Sequence, residues 1–558
     1  MVDNNKDYLN DSAITFLGSR FTWKKVFDKT KSVVRALDSF RLKKGDTVSS
    51  FVGNIPEFVY LMLATSYLGV TLDTIPLYGD STIEKLSSRL NINNSKLFFV
   101  MDVFHSARVK QAVAQSNITE TIVVPTLNSS ILKFPLSFLN VLKNPKNLFS
   151  NDKYMKWNQF IKGGAGRRLP EEVAFEPNMP ALILNSSGTT GLPKGVVHSS
   201  ESLVNKAKSY KATGVNLDRG LVFYPIPPNW FSTGASSSII TPMFYGAELF
   251  LDPRVNQEVF VRNLLKYDIH YTVSSNALWE GFLDDDLVRK YYHPKKRNLK
   301  NLLFPFQGGE PQNPDIVKKM QVALEKYGFE MHLLNGYGST ENGPGIATQT
   351  PAIHTPGSSG IPLPGINIRI LDDEGKLRKI NESGEIQVCN PESTMLGYFD
   401  DKEASEYFVH ENGVTWNKVE DYGRVDENGE IYVEGRTSDY TLINNKRIYN
   451  FLITKILSNN HALKNVATYT HESGDSKIMV VHLMLGEELY DEMMSNNQLL
   501  VDKIRQLQGR VYEEMQDIDW VPEHFKIYSS FPIHANAKRD IIKMIEENDS
   551  IITISPEF

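Results

Sequence analysis

The chain has 558 residues, 41% of them hydrophobic and 23% charged, with a formal net charge of −6. That is the balance of a globular protein long enough for a large core and more than one domain, and it leaves no basic surplus to draw in nucleic acid. Cys389 is the single cysteine, which excludes an internal disulfide and a cysteine-built metal site. The polar, acidic start MVDNNKDYLNDS is no secretory signal, and no apolar run reaches the roughly 18 residues of a membrane span, so a cytoplasmic protein is expected.

In chain order, Phe21–Phe40 has helical spacing, DTVSSFVG reads as a strand, and IPEFVYLMLATSYLGV reads as a buried helix ending near Gly69. KLFFVM, TIVVP, LVFYPIP, AELFLD and IHYTVSS are short strand-like runs. This alternation predicts an α/β fold with a large N-terminal domain of βαβ-type layers. Around Gly384–Gly397 the texture changes to strand and turn, with GEIQVCN and later GEIYVEG, which predicts a β-rich subdomain. Beyond Gly435 the strand-like KIMVVHLML and the amphipathic DKIRQLQGRVYEEMQ predict a small α+β domain. The expected domains are therefore 1–435 and 436–558. One further stretch, Ser129–Phe149, combines bulky apolar residues with lysines and is split by Pro135. It reads either as a surface loop and helix packed on the body or as a weak contact with a membrane surface.

The stretch Asn185–Gly195, NSSGTTGLPKG, has the composition of a phosphate loop. It is not a Walker loop: counted from Gly188, proline stands where the second glycine belongs and Gly195 where the magnesium-binding hydroxyl belongs. The following GVVHS reads as a strand, so no helix N-terminus receives the phosphate. Backbone N–H groups freed by Gly188 and Gly191 can still form a nest, with hydroxyls from Ser186, Ser187, Thr189 and Thr190 and charge from Lys194.

SSGTTGLPKG closely resembles the signature loop of the adenylate-forming (AMP-binding) superfamily, which includes acyl-CoA synthetases, peptide-synthetase adenylation domains and luciferases. GGEPQNP (Gly308–Pro314), NGYGSTE (Asn335–Glu341), GYF (Gly397–Phe399), EDYGRVDENGEIYVEGR (Glu420–Arg436) and FPIHANAKRD (Phe531–Asp540) follow in that family's order and cover nearly the whole chain. The resemblance implies that a carboxylic acid attacks the α-phosphorus of ATP, giving acyl-AMP and pyrophosphate, after which a thiol takes the acyl group. It implies that Ser186, Ser187, Gly188, Thr189, Thr190, Gly191 and Lys194 hold the β- and γ-phosphates. Tyr337 would stack on adenine, and Gly338 and Ser339 continue that motif. Thr340 would donate to the α-phosphate and Glu341 would hold Mg²⁺. Gly309, Glu310 and Pro311 would line the adenine slot, Asp421 would accept the ribose hydroxyls, and Arg436 and Arg447 would contact ribose and phosphates. Lys538 would be the adenylation lysine, carried into the site by a small mobile C-terminal domain that swings about a hinge near Arg436–Asp439.

The sequence departs from the family pattern in and beside the small domain. Val419-Glu420-Asp421 replaces Thr-Gly-Asp, the usual hinge acid is Ser438, and Asn445, His534 and Ala537 replace residues usual in relatives. These changes leave ATP binding intact and bear on the thiol step. The region that carries an aspartate in amino-acid-activating domains, PNWFSTGASSSII (Pro228–Ile240), has none. Trp230, Phe231 and Gly234 stand there, so an acid without an α-amine is expected. Acetate enzymes close their pocket with tryptophan at the position of Gly338, so glycine predicts an open floor and an acid larger than acetate. The acceptor is expected to be CoA. The alternatives are the phosphopantetheine thiol of an acyl carrier protein, which the NAKRD ending echoes, and a nucleotide-binding relative without catalysis.

Overall fold

The computed structural model describes residues 1–76, 82–131, 154–186, 194–295, 298–309, 314–399, 404–443, 446–458, 460, 462–473, 476–515, 520–532, 541–546 and 550–556. By compactness the chain divides into two units. The first comprises Met1–Glu310, Asp315–Ile368 and Val388–Val419; the second is built mainly from Arg369–Gln387 and Glu420–Phe558. Arg436–Asp439 lies inside the second unit by this division.

The first unit is α/β. Among the described residues it holds two large sheets. One runs in the order Gly397–Tyr398, Gly195–Ser199, Pro180–Asn185, Thr71–Thr74, Thr47–Phe51, Leu97–Met101, Glu120–Val124, Met155–Lys156. Its central strands are parallel, and Thr47–Phe51 and Leu97–Met101 are buried at every position. Strands covered on both faces read as continuous apolar runs rather than alternating ones, which is why LFFV lacks a polar face; Thr47–Phe51, buried as fully, carries Thr47, Ser49 and Ser50 among its buried positions. The other sheet runs from Ile361–Pro362 through Ala347–Thr348, Leu334–Tyr337, Phe304–Gly308, Tyr271–Ser274, Val222–Pro225 and Glu248–Leu251 to Ser12–Phe16 and Ser19–Thr22. Its middle is also parallel.

The helices follow from local chemistry. Trp23–Ser39 starts where the Thr22 side chain accepts from the Lys25 N–H, and it buries Trp23, Val26, Phe27, Thr30, Val33, Val34 and Leu37 on one face. Pro56–Leu68 carries proline in its first turn and ends at Gly69, which sits at φ +64° with its N–H on the Ser66 and Thr65 carbonyls. It is buried along nearly its whole length, as its predominantly apolar sequence requires.

The second unit has a four-stranded sheet of Asn465–Ser473, Ser476–Met484, His524–Tyr528 and Ile552–Thr553 among the described residues. The helices Asn450–Ser458 and Asn497–Glu514 bury Ile453, Leu457, Ile504, Leu507 and Val511 in the same core as Val481, Leu483 and Phe525. The predicted strand KIMVVHLML and the predicted amphipathic helix both form here. No helix among the described residues is long and apolar enough to cross a membrane.

Candidate active site

Within the first unit the phosphate loop is the connection of an antiparallel pair. Asn185 faces Gly195 in the register of Pro180–Asn185 and Gly195–Ser199, and the Ser186 N–H donates to the Lys194 carbonyl at 3.1 Å. Strand rather than helix follows the loop, as the sequence predicts. Asn185 is pinned on several sides. Its N–H donates to the Trp230 carbonyl at 2.8 Å, its side-chain amide donates to the Thr74 carbonyl, and its Oδ1 accepts from Arg89 at 3.3 Å.

The Tyr337–Glu341 motif meets this base. Thr340 Oγ1 lies 3.4 Å from the Asn185 carbonyl and 3.4 Å from Ser232 Oγ. The Glu341 carbonyl accepts from the Met395 N–H at 2.8 Å, and Glu341 Oε1 accepts from the Tyr398 hydroxyl at 3.1 Å. Lys194 Nζ stands 5.3 Å from the centre of the Tyr398 ring, within range of a cation–π attraction. Lys194, Tyr398, Glu341, Thr340, Asn185 and Trp230 are thereby brought together. With Tyr398 on one oxygen, Glu341 still presents a hard carboxylate oxygen of the kind Mg²⁺ takes beside phosphates, so the residue fits the ion.

Gly309, at φ +83°, follows the strand Phe304–Gly308, and Tyr337 ends the strand beside it, with Gly308 facing Gly336. Both residues sit at the carboxyl ends of parallel strands, where open α/β sheets bind ligands. Ser339 Oγ accepts from the Asn342 N–H at 3.2 Å and from its amide at 3.1 Å, so it holds the turn after the motif.

One pocket expectation changes, the open floor at Gly338. A Cβ on Gly338 would lie 1.5 Å from the Pro344 carbonyl oxygen, and one on Gly234 would lie 2.0 Å from the Pro228 carbonyl oxygen. Backbone fills both places. Gly338 is glycine because the chain folds back over it, and the space expected from its missing side chain is occupied by Pro344. Trp230 lies 6.4 Å from Phe51 and 6.3 Å from Phe231, ring centre to ring centre. Its indole N–H is buried without a hydrogen-bond partner.

In the second unit Asp421 faces Arg436 across the strands Val414–Val425 and Ile431–Arg436. Arg436 Nε lies 3.2 Å from Asp421 Oδ1, and Asp421 is largely buried. Glu420, next to it, adopts φ +58°. Where relatives usually carry glycine, this backbone keeps the left-handed conformation that glycine favours. Arg447 lies 5.0 Å from the Tyr440 ring centre. Burial pushes the Asp439 carboxyl up to about 6, while the Asn450 amide bonds to it. Ser187, Gly188, Thr189, Thr190, Gly191, Glu310, Pro311, Asn445, His534, Ala537 and Lys538 lie outside the described residues, as do 132–149 of the candidate membrane segment.

Sequence reasoning missed the layer behind the motif. His198, fully buried, donates from Nε2 to the Thr340 carbonyl at 2.8 Å, since a carbonyl can only accept. Its Nδ1 is buried without a partner, and burial pushes its pKa down to about 4. The ring is therefore a neutral structural donor. Arg89 pairs with the fully buried Asp73 at 2.9 Å, and Asp73 also accepts from Ser49 at 3.2 Å and from Asn93. A Cβ on Gly195 would lie 2.5 Å from Arg89 Nη1, so glycine at the end of the phosphate loop makes room for this guanidinium. The only sequence trace of His198 was its place three residues beyond Gly195.

The model of the family "AMP-binding enzyme" matches residues 2–399. The chain belongs to this family. Among curated relatives, the acetyl-coenzyme A synthetase of Helicobacter acinonychis (strain Sheeba) is 26% identical over 479 residues, covering 79% of this chain and 67% of the relative. The probable 4-coumarate–CoA ligase 2 of Dictyostelium discoideum is 25% identical over 417 residues, covering 74% and 71%. Two solved structures share the fold. A benzoate CoA ligase from Burkholderia xenovorans LB400 has a TM-score of 0.76 at 16% identity, over 97% of this chain and 98% of that one. The o-succinylbenzoate CoA synthetase of Bacillus subtilis has a TM-score of 0.73 at 19% identity, over 100% and 98%. This AMP-binding enzyme is an AMP-forming ligase of the acyl-CoA synthetase kind.

Proposed function

We propose that this AMP-binding enzyme activates a carboxylic acid that lacks an α-amine and is larger than acetate, and that CoA is the acceptor. The carboxylate oxygen attacks the α-phosphorus of ATP, the bond to the β-phosphate bridging oxygen breaks, and pyrophosphate leaves. The CoA sulfur, its proton lost, then attacks the acyl carbon of acyl-AMP and AMP departs. The observation that carries this reading is the convergence of Lys194, Thr340, Glu341 and Trp230 at the base of the phosphate loop. Two anions meet in the first step, so catalysis is positioning and charge neutralisation. Lys194 and the loop serve the β- and γ-phosphates, Thr340 the α-phosphate, and Glu341 holds Mg²⁺, which would neutralise phosphate charge. The acid lies against Trp230 and Phe231. The absence of any carboxylate in Pro228–Ile240 supports an acid without an α-amine. That the acid is larger than acetate rests on the sequence comparison at position 338 and not on space beside Gly338, which the Pro344 carbonyl fills. Asp421 serves the ribose, and Lys538 is the adenylation lysine.

The test is mass spectrometry of the protein incubated with ATP, Mg²⁺ and a pool of carboxylic acids, with and without CoA. Acyl-AMP alone and acyl-CoA on adding CoA are expected, and Lys538→Ala abolishes the adenylate. Acyl-AMP that ignores CoA moves the acceptor to a carrier-protein thiol. No adenylate from any acid, with ATP still bound, refutes the reading in favour of a nucleotide-binding relative.

A further inference from the structure

The helix Ser200–Ala212 contains Lys206, one of the largest wholly buried side chains of the protein. Its Nζ donates to the Gly345 carbonyl at 2.5 Å, and among the described residues no carboxylate pairs with it. Its Cε lies 3.5 Å from where a Cβ on Gly343 would be, so the stem runs along the same loop. An ammonium buried against a single carbonyl destabilises a fold, and an apolar side chain of similar volume would serve packing better. Burial accordingly pushes its pKa down to about 7. A residue that packing does not favour points to another use.

The loop it holds follows the adenylate motif. The Ile346 N–H donates to the Tyr337 carbonyl at 2.8 Å, closing residues 338–345 into a loop whose Pro344 carbonyl lies over Gly338. One turn along the helix from Lys206 is Tyr210. Its hydroxyl lies 2.9 Å from Ser237 Oγ, on the helix Thr233–Ile240, and 2.5 Å from where a Cβ on Gly345 would be. One helix therefore grips both the loop beyond Tyr337 and the segment beyond Trp230 and Phe231.

We propose that Lys206 and Tyr210 are positioning residues that set the separation of the loop 338–345 from the helix Thr233–Ile240, and so which acids the pocket accepts. This rests on the reading that those two segments are the walls of the acid pocket. The adjustment acts through spacing, and neither side chain touches the reacting atoms.

The experiment measures pyrophosphate release by wild type, Lys206→Met and Tyr210→Phe over a homologous series of carboxylic acids, with KM for ATP and the thermal midpoint recorded alongside. Each variant is expected to raise KM for the best acid roughly five- to tenfold, the worth of one hydrogen bond, and to reorder the series. KM for ATP should stay within about twofold, and the midpoint of Lys206→Met should match or exceed wild type. Unchanged acid KM and unchanged order in both variants overturn the inference. So do losses that fall equally on ATP and acid together with a lowered midpoint, the mark of general structural damage. If Lys206→Met does not fold, Tyr210→Phe decides alone, since it deletes one oxygen at the same junction. A wild-type protein that forms no adenylate with any acid removes the pocket reading and this inference with it, whereas an active wild type with indifferent variants removes only the inference.

Discussion

His198 offers a prediction with a worked size. Its imidazole is fully buried and donates to the Thr340 carbonyl, and its pKa falls from 6.5 to about 4 on folding because burial disfavours the charged ring. A depressed histidine pKa means that the unfolded chain takes up a proton first on acidification. Stability is therefore full above pH 6.5, falls as pH drops toward 4, and changes no further from this group below that. Integrating the linkage between those two values gives a loss of about 2 kcal/mol from pH 7 to pH 5. His198→Gln removes the titration and keeps an amide N–H for the Thr340 carbonyl. Urea unfolding of wild type and variant at the two pH values should show wild type losing about 2 kcal/mol more than the variant on acidification. Equal losses in the two proteins would refute the assignment of a buried neutral donor.

Three more outcomes are expected. Arg89→Met leaves the Asp73 carboxylate buried without its cation and frees Asn185 Oδ1. Urea unfolding should show a loss of about 3 kcal/mol, and steady-state kinetics a raised KM for ATP, because the base of the phosphate loop is no longer tied. Glu420→Gly relieves an exposed left-handed residue at φ +58° and should gain about 1 kcal/mol in the same assay. Gly338→Ala drives a methyl into the Pro344 carbonyl, for a cost of about 2 kcal/mol or more, with acid and ATP binding both weakened in equilibrium titrations.

Much of this protein is legible in its sequence alone. The alternation of buried strands and amphipathic helices follows from periodicity that each segment carries in itself. Pro56 and Gly69 bracket their helix by local backbone chemistry. The motif order identified the family, because phosphate, adenine and carboxylate chemistry each demand their own short stretch of residue types. The strand after the phosphate loop was likewise readable from GVVHS.

Tertiary structure decided the rest, where partners are far apart in sequence. His198 meets Thr340 across 142 positions and Lys206 meets Gly345 across 139. Read alone, one is an ordinary histidine in a strand and the other a lysine on a helix, and only packing removes the water that would leave their pKa values unshifted. Gly338 shows the same limit from the other side. Its missing side chain predicted space, but a carbonyl six residues on fills it. Local sequence determines which elements form and which chemistry they carry. Which charges are dehydrated, and which vacancies are real, depends on the density of atoms brought in from elsewhere in the chain.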